Sequence, residues 1–132
     1  MIKNIPDGVY PTMVTPFTSD NKIDYNGVLQ ILEWYSENGV DGVFAICQSS
    51  EIFFLSFEER LKLLKFIMKN KPSDMSIIAS GHTADELDRQ IYEANAFINE
   101  GIVLNLYDDV DKDKINFYEA SISSNDTLNL EK

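Results

Sequence analysis

Residues 47–51, Cys-Gln-Ser-Ser-Glu, set a thiol, an amide, two hydroxyls and a carboxylate directly after an apolar run. Polar groups this dense need hydrogen-bond partners, so they belong where a strand ends and donors gather at the mouth of a sheet or barrel. Gln48 and Ser49 are the candidate binding pair, one offering an amide and the other a hydroxyl. Cys47 would act as a nucleophile only with an acid–base partner, and His82, the single histidine, is the one residue that could serve. A lone cysteine at a strand end is more often a small buried hydrophobe. His82, just before a helix, reads more simply as a hydrogen-bonding loop residue.

Asp109, Asp111 and Asp113 alternate in the manner of a calcium loop. That loop needs Gly at its sixth position and Glu at its twelfth, where Lys114 and Ala120 stand. A solvated acidic turn is the better reading, and neither a metal nor a cofactor is expected.

The elements that must position these groups follow from periodicity. "GVYPTMVTPF" begins with a β-like run, Val9 to Val14. Tyr25, Val28, Leu29, Leu32 and Tyr35 then share one helical face, between an Asp24 N-cap and Gly39. "VDGVFAIC" has the unbroken apolarity of a parallel strand covered on both faces. Ser56 and Glu59 form a capping box that opens a second helix, with Phe57, Leu61, Leu64, Ile67 and Met68 as its stripe. "MSIIAS" predicts a third strand, and a third helix follows with Thr83 and Glu86 as a second capping box. Its stripe is Leu87, Ile91, Ala94 and Ile98, Gly101 closes it, and "IVLNLY" predicts a fourth strand. The order βαβαβαβ implies an α/β fold with a parallel sheet and right-handed crossovers. Residues 1–107 form this unit, and 108–132 are an acidic, polar tail with room for a short helix around Ile115, Tyr118 and Ile122.

The balance of 22 acidic against 11 basic residues gives a net charge of −11, which excludes a nucleic-acid footprint. The lysines of "KLLKFIMKNK" interleave with apolar residues at helical spacing and form a solvated helix face. No apolar run approaches the roughly 20 residues needed to span a bilayer. One cysteine fits a reducing cytoplasm, the expected location.

Three segments together resemble the dihydrodipicolinate synthase and N-acetylneuraminate lyase family of (β/α)8-barrel enzymes. They are "TPFTSDNKID", "SSEIFFLSFEER" and "IIASGHTA", and the likeness runs from about Gly8 to about Gly101. The resemblance implies pyruvate bound as a Schiff base on a lysine, whose enamine attacks or releases an aldehyde. It also implies that a Gly-Thr-Thr-Gly-Glu loop receives the pyruvate carboxylate. Gln48 and Ser49 occupy the two threonine positions, Cys47 and Ser50 replace the glycines, and Glu51 matches the Glu. Loss of both glycines is expected to hinder the close approach of that loop to a ligand. Tyr107 stands near the family's tyrosine-containing loop that serves a neighbouring subunit, which makes it the candidate catalytic residue.

A barrel of this type needs roughly 250 residues, or about 31 per unit, so 132 residues hold about four N-terminal βα units. The resemblance puts the Schiff-base lysine on the sixth strand, beyond them. The lysines present fall at termini, in loops, on helix faces or in the tail. The expectation is therefore a truncated barrel, inactive alone or serving as a non-enzymatic interaction module. Its open inner face, with Val9, Val14, Phe44 and Ile46, and its unpaired strand edges predict a homo-oligomer.

Overall fold

In this computed structural model the described residues are 6–81 and 83–105. Asp24 opens α1 (Tyr25–Glu37), its carboxylate accepting from the amides of Asn26 and Gly27 at 3.1 Å. The chain leaves α1 through Gly39, whose φ of +70° is a left-handed conformation that suits glycine. It then enters β1 (Gly42–Ile46), two 3-10 turns (Gln48–Ser50 and Ile52–Phe54) and α2 (Phe57–Asn70). The expected capping box of α2 is formed: the Glu59 amide donates to Ser56 Oγ, and the Ser56 amide donates to Glu59 Oε2 at 2.8 Å. β2 (Ser76–Ser80), α3 (Leu87–Ile98) and β3 (Val103–Asn105) complete the described elements.

The three strands form a parallel sheet in the order β1-β2-β3. Val43 and Ala45 of β1 and Ile77 and Ala79 of β2 turn to the helices, where Val28, Leu32, Leu63, Leu64, Ile67 and Phe97 close over them. Phe44 and Ile78 are only half-buried and mark the other face of the sheet.

Two complete strand–helix units, β1–α2 and β2–α3, lie among the described residues, not the four expected. The run Val9 to Val14 lies beside β1 but makes only an isolated parallel bridge, Thr12 to Phe44. Its carbonyls do their part, Pro11 accepting from the Phe44 amide at 2.9 Å. Pro11 has no N–H to return, so a continuous ladder cannot form there. The fourth predicted strand is present as β3, and the tail from residue 106 lies outside the described residues.

Two further expectations are corrected. Ile46 does not line an open face: it is 0% exposed, and the register slips between Phe44 and Ile46, which breaks the alternation of β1. Thr83 caps no helix, because α3 begins at Leu87 with Glu86 as an N-cap that makes no side-chain bond. The Thr83 hydroxyl instead meets the guanidinium of Arg60 and the carboxylate of Glu93. Charged partners bind a hydroxyl more strongly than backbone amides do.

Candidate functional site at the rim of the parallel sheet

β1 delivers the chain to the rim at Cys47, and the Gln48–Ser50 turn folds back immediately. Gln48 and Ser49 are exposed there, at the C-terminal end of the strand, as their sequence position predicts. Ser50 is the opposite: it is fully buried. Its Oγ lies 2.5 Å from the Met13 carbonyl and 2.7 Å from the Ala45 carbonyl, and it accepts from the Cys47 amide at 3.3 Å. One hydroxyl proton serves the two carbonyls in turn, so the side chain ties the Met13 segment, β1 and the turn together. Thr15 adds a second tie by donating from Oγ1 to the Ser50 carbonyl at 2.8 Å.

Neither Cys47 nor Ser50 has a positive φ, so the turn makes no demand for glycine at those positions. The left-handed residue is Glu51, at φ 60°, where the first 3-10 turn passes into the second. Cys47 itself is buried, with Sγ against Ser50 Oγ at 3.3 Å, and packs as a small core residue. Tyr107 and His82 lie outside the described residues. Among the described residues no cluster of His, Cys, Asp or Glu could hold a metal ion.

A second polar group near the rim escaped the sequence reading. Arg60 on α2 and Glu93 on α3 are both buried, 3.4 Å apart, with Thr83 bridging them. Arg89 reaches the other Glu93 oxygen at 3.1 Å from a half-exposed position over the Phe57 ring. The signal was present: Arg60 falls on the apolar stripe, between Phe57 and Leu64 at helical spacing.

A sequence model of the Dihydrodipicolinate synthetase family matches residues 5–97 of this chain, and that span includes the rim turn and all of β1, α2 and β2. The chain belongs to that family. Among family relatives, the 4-hydroxy-tetrahydrodipicolinate synthase of Brachyspira hyodysenteriae is 30% identical over 95 residues, 68% of this chain and 32% of that protein. The synthase of the same name from Neisseria gonorrhoeae is 32% identical over 72 residues, 54% of this chain and 25% of that protein. This chain therefore spans about a quarter to a third of the length of these two curated relatives. In fold it is similar to CdNal from Clostridium difficile, solved in complex with mannosamine, with a TM-score of 0.71 and 21% identity. That likeness covers 92% of this chain and 43% of the other. The N-acetylneuraminate lyase of Fusobacterium nucleatum gives a TM-score of 0.70 at 20% identity over the same shares. A dihydrodipicolinate synthase structure gives 0.66 at 26% identity, covering 72% of this chain and 32% of that one.

Proposed function

We propose that these residues form the carboxylate cradle of a pyruvate-dependent lyase or aldolase scaffold, and that by themselves they bind a 2-oxo acid without turning it over. The observation that carries this reading is the exposed Gln48–Ser49 pair at the C-terminal rim of β1, the end of a parallel strand where barrel enzymes keep their sites. The Ser49 hydroxyl and the Gln48 amide are donors suited to a carboxylate. The relatives matched in sequence are named as synthases of 4-hydroxy-tetrahydrodipicolinate, and pyruvate is the ligand class that the family resemblance implies.

Schiff-base formation needs a neutral amine facing the ligand. Among the described residues Lys22 lies in an exposed turn, Lys62, Lys65 and Lys69 on α2, and Lys71 directly after it. None of the five ends a strand. This placement also favours the second reading, a half-barrel module that binds or associates without catalysis. Tyr107 is carried forward as the catalytic tyrosine that a neighbouring copy would receive, and the cytoplasm as the location. No helix among the described residues is long and apolar enough to cross a membrane.

Millimolar pyruvate should shift the amide resonances of Gln48 and Ser49, and Ser49→Ala should weaken binding by about 1 kcal/mol, one hydrogen bond. Borohydride added with pyruvate should leave the mass of the chain unchanged. Absence of any shift removes the cradle, and a specific reduced pyruvate adduct overturns the claim of inactivity.

A further inference from the structure

Two serines are fully buried at this rim, and their hydroxyls differ sharply. Ser50 is saturated, with two carbonyls and an amide around its Oγ. Ser80, the last residue of β2 and also 0% exposed, has no hydrogen-bond partner for its Oγ among the described residues. A buried hydroxyl left without a partner is costly, and native proteins rarely leave one idle without a use for it.

The position of Ser80 tells what that use is. Ile46 of β1 pairs with Ala79, so the next step along the two strands sets Cys47, which opens the Gln48–Ser50 turn, beside Ser80. Ile77 and Ala79 belong to the helix-facing core, so by strand alternation Ser80 is on the other face, with Ile78. That face carries Phe44 and would be the inside of a closed barrel. The hydroxyl therefore stands on the ligand side of the sheet, one strand over from the exposed pair.

We propose that Ser80 is a third donor of the cradle and takes an oxygen of the bound 2-oxo acid. The assignment rests on the cradle reading above and adds the neighbouring strand to it. Because Ser80 is closed to solvent, the ligand reaches it only by displacing what covers it. The unpartnered hydroxyl is then a cost carried by the empty protein and relieved on binding. That predicts opposite effects of its removal on stability and on affinity.

Ser80→Ala tests this, with pyruvate titrated by NMR and melting followed in the empty protein. The expected result is a melting temperature unchanged or raised, together with pyruvate affinity about five- to tenfold lower. Ser80→Cys, similar in size with a weaker donor, should fall between the two. Unchanged affinity in folded Ser80→Ala overturns the assignment and leaves the cradle standing. A lowered melting temperature in both variants shows a structural serine and also overturns it. No binding by the unsubstituted chain fails the cradle itself, and the Ser80 assignment with it.

Discussion

At the scale of single residues, the rim shows how one substitution changes the job of a side chain. The resemblance sets Ser50 where the family loop has a glycine, and the loss of glycine was expected to hinder the close approach of the loop to a ligand. The structure gives Ser50 a role of its own: the backbone there needs no positive φ, and the hydroxyl braces three backbone groups. Ser50→Ala should therefore destabilise the chain by about 1–3 kcal/mol, the usual result of stripping partners from buried backbone groups. Ser49→Ala, one residue earlier and exposed, should change stability by less than about 0.5 kcal/mol. Urea unfolding of the two variants side by side decides it, and equal losses would end the distinction between brace and ligand donor. Sequence alone located the turn and marked Gln48 and Ser49. It could not show that Ser50 is a buried brace, because one partner of that brace is Met13, 37 residues away in the chain.

At the scale of elements, α2 and α3 are joined by charge as well as by apolar packing. Arg60 and Glu93 are desolvated together, so removing one strands the other in a medium that disfavours an unpaired ion. Glu93→Ala should cost about 3–5 kcal/mol, and pairing Glu93→Leu with Arg60→Met should recover most of it. Denaturant midpoints of the single and double variants test this, and a mild single variant would sink it. Helix α1 carries a pH dependence of its own. Burial, helped by the nearby Cys47, raises the Tyr35 phenol above its ordinary value, and burial followed by Glu59 raises Tyr25. Both hold their protons more tightly folded than unfolded, so their contribution is whole below about pH 10 and is lost as pH climbs toward the folded values. Tyr35 also donates from its hydroxyl to the Thr12 carbonyl at 3.3 Å, a bond that ionisation would abolish. Stability should fall as pH rises above about 10, and Tyr35→Phe should flatten that fall. An identical slope in the variant would remove Tyr35 as its source. These elements were largely legible from sequence. Asp24, Gly39 and the Ser56–Glu59 box mark boundaries that the structure keeps. What was not legible depended on neighbours: Pro11 reduced a strand to a bridge, and Arg60 drew Thr83 away from its cap.

At the scale of the whole molecule, several large apolar side chains stand exposed among the described residues. Val9, Val14, Trp34, Phe53, Phe54 and Tyr92 are each more than half exposed. Phe53 and Phe54 stand out at 68% and 82%, adjacent on a single 3-10 turn directly after the Gln48–Ser50 turn. An aromatic side chain buries roughly 150–250 Å² in a good contact, so two neighbours can anchor an interface between copies. Against this stands the net charge of −11, which makes copies of the chain repel. The balance between the two is set by ionic strength, since salt screens the repulsion and leaves the apolar attraction in place. We therefore expect self-association at tens of micromolar that strengthens from low to moderate salt. Replacing both Phe53 and Phe54 by Ser should weaken it at every salt concentration without unfolding the chain, because neither side chain belongs to the core. Sedimentation velocity across a salt series reads both effects. A monomer under all conditions would refute the association, and an association indifferent to the two phenylalanines would place the interface elsewhere.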